Sequence, residues 1–346
     1  AQARRLRTRV GSSRRRARRK GLSPIALVHA YASMNSANTI DESAIRVALP
    51  ELLATCALAR GAALAESKRA TAAQSGLHLS RWRGRGVDFR ESRIYQPGDD
   101  IRHMDWRVTA RSGRAHTKLF EEERERGLLL LVDFNPGMRF GTRVRFKSVQ
   151  AARAASLLAW LASANGDRVG ICGFGGGITA EVKPARGRRG VLQVLRALRD
   201  WDHAAGEDSE ALSSGLERAR RLLRPGMRLI LVSDGFSVEA QSSPALLRSA
   251  GRHKLGAVLL SDQLEQHPPP GGRFALSLAG KRHVLDFGNL RMRTQWSQSF
   301  AERRLRLRSE LQRIGARVVD LSTDSDLRRS LAPFTQRSVG PRDSQA

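Results

Sequence analysis

The chain has 346 residues, enough to bury one large core or two modest ones, because a folded unit of roughly 300 residues hides about three quarters of its unfolded surface. Aromatic residues make up only 5% of it, so Ala, Leu and Val must supply most of the core, as they do where helices pack on a buried sheet. The net charge of +28 raises nucleic-acid binding as a function, but ten positive charges fall in residues 1–33, which contain no acid, and the remainder is spread among many carboxylates.

Residues 1–40 read as a disordered basic arm, carrying the run Arg14-Arg15-Arg16-Ala17-Arg18-Arg19-Lys20. No sustained apolar region follows that run, so it is a poor secretory signal. Met34 opens a more ordinary composition, which raises a native start at that residue as an alternative. In residues 41–75, Ile45, Leu49, Leu52, Leu53, Cys56 and Leu58 have rough helical spacing, interrupted by Pro50 and closed near Gly61. One or two short helices docked on a main body are expected there.

Residues 76–127 are dense in charge and read as a small β-rich segment. The Pro97-Gly98 turn lies between two runs with strand character, Phe89 to Tyr95 and Ile101 to Val108. Around that turn stand Arg93, Tyr95, Asp99, Asp100, Arg102, Asp105, Trp106 and Arg111. Two readings stay open for this cluster. It is an internal staple tying the segment to the main body, or a docking face for another protein, since Arg and Trp are enriched in interface hot spots.

From residue 128 to 322 the pattern becomes alternating strand and helix. Leu128-Leu129-Leu130-Leu131-Val132 is a continuous apolar run ending at Asp133, as befits a strand buried on both faces. A helix from Val144 should stop at Asn165-Gly166. A strand from Arg168 to Phe174 should lead through Gly175-Gly176-Gly177 into an edge hairpin over Ile178 to Val182, ended by Pro184.

Two amphipathic helices follow, then a strand from Met227 to Val232 ending in Ser233-Asp234-Gly235. Next come a helix at 245–252, a strand at 255–260, a hairpin at 273–287, a helix from Trp296 to Ile314 and a strand from Arg317 to Leu321. Residues 323–346 read as a weakly ordered tail. The alternation predicts an α/β fold, a doubly wound, mostly parallel sheet with helices on both faces.

The run Gly84-Arg85-Gly86-Val87-Asp88-Phe89, the stretch Arg93-Ile94-Tyr95-Gln96-Pro97-Gly98-Asp99-Asp100-Ile101-Arg102-His103-Met104-Asp105-Trp106-Arg107 with Ala110-Arg111, and Phe120-Glu121-Glu122-Glu123-Arg124-Glu125 together resemble bacterial domain-of-unknown-function family 58. Members of that family carry a von Willebrand factor A-like domain. The resemblance is strongest over about residues 76–135 and does not reach residues 1–40. It implies an adaptor that partners a MoxR-type AAA+ ATPase and a client protein, and the absence of a Gly-x-Ser-x-Gly elbow and of any ordered Ser-His-Asp pattern makes a non-enzymatic role the expectation.

Asp133 and Asp234 each end a buried strand, where ligands bind in open α/β sheets. In von Willebrand A-like domains these positions belong to a Mg²⁺ adhesion site built on Asp-x-Ser-x-Ser, a loop Thr and a second Asp. Here Asp133-Phe134-Asn135-Pro136-Gly137 replaces both serines, and the loop 206–210 contains no Thr. Asp133, Asn135 and Asp234 with waters are the remaining Mg²⁺ ligand set, leaving a position for a partner's carboxylate. The alternative is that the two acids cap the turns that follow them.

The Gly175 loop is followed by a β-like run and no Gly-Lys-Ser or Gly-Lys-Thr occurs, so no nucleotide is expected. Cys56 and Cys172 have no metal-ligand spacing and fit a reducing, cytoplasmic setting. No apolar run reaches the roughly 18 residues a transmembrane helix needs. The competing functions are a nucleic-acid binder using its arginines and a metal-dependent hydrolase.

Overall fold

The computed structural model describes residues 42–65, 87–99, 101–122, 126–238, 253–278 and 281–337. The basic arm, Gly84 to Gly86, Asp100, the helix expected at 245–252 and residues 338–346 lie outside these.

The centre is a six-stranded sheet in the order β11-β8-β7-β4-β5-β6, built from β4 (Gly127–Asp133), β5 (Arg168–Phe174), β6 (Glu181–Ala185), β7 (Arg228–Ser233), β8 (Lys254–Ser261) and β11 (Arg317–Ser322). All neighbours are parallel except β6, which returns antiparallel to β5 at the sheet edge. Pro184 lies within β6 rather than after it, beside an irregular register at Val169/Ile171. An edge strand tolerates a residue with no N–H to give to the ladder.

Every residue of β4 is buried, and its side chains alternate between two cores. Leu128, Leu130 and Val132 pack with α2 (Leu49–Leu58), α4 (Lys147–Ala164) and α5 (Gly187–Ala204). Leu129 and Leu131 pack on the opposite face with α6 (Leu212–Leu222) and α8 (Leu290–Arg313). Burying each of these leucines stabilises the fold by roughly 1.5–3 kcal/mol, and that demand on both faces is why the run lacks the polar alternation of a half-exposed strand. The fold is mixed α/β with a mostly parallel sheet covered on both sides.

The amino-terminal elements dock on the first core. After α1 (Glu42–Ile45), the Val47 N–H donates to Asp202 Oδ2 at 2.9 Å, and Glu51 on α2 pairs with Arg145 at 2.8 Å. The helix α4 begins at Lys147 and ends where Gly166 takes a left-handed φ of 76°.

Two further expectations are corrected. Residues 101–108 form no strand: a 3-10 turn spans Ile101–His103 and α3 spans Trp106–Ser112. The strand that pairs with β2 (Val87–Ile94) is β3 (His116–Glu122). Asp105 accepts the Val108 N–H and Gly113 adopts φ 67°, so capping at both ends favours a helix over the weak β propensity of the run.

The tail is the second correction, because residues 323–337 are built into the fold. Leu327 on α9 (Leu327–Ser330), Leu331 and Phe334 are buried in the first core, and β12 (Thr335–Arg337) pairs with β1 (Ala62–Leu64). Between these regions lie α7 (Gln263–Gln266) and the hairpin of β9 (Arg273–Leu278) with β10 (Lys281–Asp286). No helix among the described residues is long and apolar enough to cross a membrane.

Candidate functional site

From β4 the chain passes to β5 on one side, while β7 lies on the other, so the strand order reverses at β4. A crevice opens beyond the carboxyl ends of strands at such a point. Asp133 closes β4 and Asp234 follows β7, and the two acids meet there.

Asp133 is 1% exposed and both of its oxygens are occupied. Oδ1 accepts from the Asn135 backbone N–H at 2.9 Å and from Asn135 Nδ2 at 2.7 Å. Oδ2 accepts from Ser233 Oγ at 2.6 Å and Ser237 Oγ at 2.8 Å. Burial first, and the neighbouring Asp234 charge second, push its pKa up to about 6 despite these hydrogen bonds.

Asp234 is held differently. Its Oδ1 accepts the Phe236 N–H at 2.9 Å, and its Oδ2 receives Lys147 Nζ at 2.8 Å. Lys147, the first residue of α4, is 0% exposed and reaches Glu265 Oε1 at 2.7 Å as well. The rings of Phe140 and Phe236 lie 5.6 and 5.2 Å from the ammonium. Burial drives a lysine toward neutrality, but Asp234 and Glu265 outweigh it and hold Lys147 protonated, with its pKa raised.

The network continues along the rim. Glu265 Oε2 accepts the Asp262 N–H at 2.8 Å in a reciprocal cap of α7. Asp262 in turn receives the hydroxyls of Thr142 at 2.6 Å and Thr323 at 2.8 Å. Side chains from the ends of β7, β8 and β11 and from the start of α4 are thereby joined in one polar rail, and the Asp133 set from the end of β4 adjoins it where Ser233 precedes Asp234 in the chain.

The residues nominated for Mg²⁺ do not fit that ion. A carboxylate on one side and a backbone N–H on the other fix the Asn135 amide in one orientation. Nδ2 donates to Asp133 and to the Glu210 carbonyl at 3.0 Å, and Oδ1 accepts the Glu210 N–H at 2.7 Å. Asn135 Oδ1 is therefore already engaged by the Glu210 loop, and its Nδ2 is turned toward the Asp133 carboxylate. The cation bonded to Asp234 is Lys147, with the Arg303 and Arg304 charges also near it, and no group of three or more His, Cys, Asp or Glu residues that could hold a metal is present among the described residues. Both acids instead accept the N–H two residues onward, as turn caps do.

The loop at 206–210 contributes structure to the same end of the sheet. Glu210 is gripped by Arg218, Nη2 to Oε2 at 2.9 Å, and accepts the Gly175 N–H at 3.0 Å. Burial would raise the Glu210 pKa, but Arg218 and the Gly175 N–H lower it below the usual carboxylate range. Gly175 has φ 80°, and a Cβ there would stand 2.5–2.6 Å from Asn135. The glycine run serves this close approach and leads into β6, not into a phosphate-binding helix.

The cluster near Pro97 divides into parts. Arg93 pairs with Asp99 at 2.6 Å, and Asp99 also accepts the Gln96 N–H at 3.0 Å. Asp105 accepts from Ser92 Oγ at 2.7 Å and caps α3. The Tyr95 N–H donates to Ala115 O at 2.8 Å. These bonds stay within residues 92–115. Arg102, Trp106 and Arg111 are exposed, Trp106 to 66%.

Lys147, Ser233, Ser237, Glu265 and Asp262 are the functional-site residues that the sequence pattern did not nominate. Asp262-Gln263-Leu264-Glu265 has the spacing of a capping box, which is the one readable signal among them.

The profile described as "Protein of unknown function DUF58" matches residues 91–306. This chain belongs to that family. Uncharacterized protein Rv1480 of Mycobacterium tuberculosis and uncharacterized protein Mb1516 of Mycobacterium bovis are each 29% identical to it over 260 residues, covering 75% of this chain and 82% of theirs. Among solved structures, the conserved hypothetical protein BatB from Bacteroides thetaiotaomicron is similar at 14% identity and TM-score 0.34, covering 55% of this chain and 98% of that one. A von Willebrand factor type A protein from Catenulispora acidiphila is similar at 12% identity and TM-score 0.34, covering 64% and 43%.

Proposed function

We propose that this protein is a non-enzymatic, cytoplasmic adaptor that binds other proteins, and that it works with a AAA+ ATPase of the MoxR type in assembling or remodelling a client. The observation that carries the reading is the outward face of α3. Trp106 is 66% exposed, with Ala110 one turn further along the same row. Arg107 and Arg111 form the adjacent exposed row, and Ile101 in the preceding turn is 63% exposed. Tryptophan and arginine supply most of the strongest anchors at protein interfaces, and leaving a large indole in water gains the isolated chain nothing.

The ATPase partner rests on the family resemblance, and the buried rim supplies no metal-bridged contact to it. The test is equilibrium binding between the purified full chain and a MoxR-type ATPase from the same organism. Saturable binding supports the adaptor reading, and no binding contradicts the partner. Turnover of a phosphoester panel by the chain with Mg²⁺ or Mn²⁺ would contradict the non-enzymatic part. Capture of DNA or RNA that weakens steeply with salt would favour the nucleic-acid alternative.

A further inference from the structure

We propose that Lys147 is the resident cation of the switch-point crevice: its ammonium group does, as part of the chain, what a bound divalent ion would otherwise do there, so the rim is assembled without metal.

The geometry has the chemistry of an ammonium site. Three N–H groups are available on Lys147 Nζ, and two of them are committed to Asp234 Oδ2 at 2.8 Å and Glu265 Oε1 at 2.7 Å. The remaining directions are flanked by Phe140 and Phe236, whose rings present electron-rich faces to a cation. A magnesium ion wants about six oxygens and keeps several waters. Two phenyl rings beside the charge supply neither.

The connectivity says what the clamp accomplishes. Lys147 opens α4, Asp234 starts the loop after β7, and Glu265 lies on α7 after β8. One amino group fixes three separate segments around the crevice. Two buried acids with no cation between them would repel each other and would have to be solvated or protonated. The lysine removes that conflict within the fold and leaves no dependence on the supply of a divalent ion. The inference goes beyond the adaptor reading and does not depend on it.

The test is Mn²⁺ binding to the full chain, followed by electron paramagnetic resonance, beside thermal midpoints in chelator and in Mn²⁺. The wild type is expected to bind no Mn²⁺ at this site and to show the same midpoint in both. Lys147→Ala is expected to melt about 10 °C lower in chelator, since breaking a buried pair strands its partners. Adding Asp234→Asn to Lys147→Ala should recover part of that loss, because it neutralises one of the two stranded acids.

Wild-type Mn²⁺ binding that Asp234→Asn abolishes would overturn the proposal. So would Lys147→Ala melting at the wild-type midpoint, or a double variant with Asp234→Asn that recovers none of the loss. Should Lys147→Ala not fold, the wild-type titration and its Asp234→Asn control decide the matter alone.

Discussion

Ser233 Oγ stands 2.6 Å from Asp133 Oδ2, so a hydroxyl from the end of β7 closes the oxygen of an acid from the end of β4. The contact bridges the two central strands at the point where the strand order reverses. It is supported by Ser237, whose hydroxyl reaches the same oxygen at 2.8 Å.

Asp133 gives the first prediction. Its folded pKa of about 6 lies above the usual 3.8, so between those values the folded chain holds a proton that the unfolded chain has lost. Stability from this group is therefore greatest at low pH and falls as pH rises through that window. Asp133→Asn keeps an acceptor toward Asn135 and lets the two serine hydroxyls turn to accept. The wild-type stability minus that of Asp133→Asn should fall by on the order of 2 kcal/mol between pH 4 and pH 7. Urea unfolding of both proteins at the two pH values checks this, and a constant difference would contradict it.

Glu210 has the opposite sign. Its pKa is lowered, so its contribution is present above the unfolded carboxylate pKa and is lost as pH falls through the folded one. Glu210→Gln removes the charge that holds Arg218 and the Gly175 N–H. The outcome expected is faster hydrogen exchange at Gly175 at neutral pH, with the wild type approaching the variant as the solution is acidified.

Asp105 and Trp106 separate the two readings of the Pro97 cluster. Asp105→Ala removes the cap of α3 and the Ser92 bond, with an expected cost of about 1–2 kcal/mol. Trp106→Ala removes an exposed side chain and should leave stability within about 0.5 kcal/mol of the wild type. Denaturant midpoints report both, and a large loss for Trp106→Ala would return the residue to a structural role.

Phe334 tests the carboxyl-terminal closure. Its ring fills the space over Gly256, where an added Cβ would meet it at 2.8 Å. Phe334→Ala is expected to cost about 3–5 kcal/mol, as cavities in closed cores do. Calorimetry showing less than about 1 kcal/mol would mean that the site collapses freely or that this segment adds little to the fold.

The strands of the central sheet were legible because burial on both faces leaves long apolar runs such as Leu128 to Val132. Asp133 and Asp234 were legible as strand-end acids for the same reason. Lys147 was not, because a lysine at a helix start ordinarily lies in water, and only the distant Asp234 and Glu265 explain its burial. The helix α3 was hidden within a run that has strand character beside the Pro97-Gly98 turn, although Asp105 and Gly113 marked its ends. In the tail, Leu327, Leu331 and Phe334 sit four and three apart, the spacing of one helical face, but the elements there are too short for periodicity to stand out.

Equilibrium binding of a purified MoxR-type ATPase to the full chain and to Trp106→Ala, at matched thermal stability, tests the central claim most directly. The account predicts saturable binding by the wild type and a loss of about tenfold or more in affinity for the variant, the scale of an interface anchor. Equal affinity for the two, or no binding by the wild type, would contradict it.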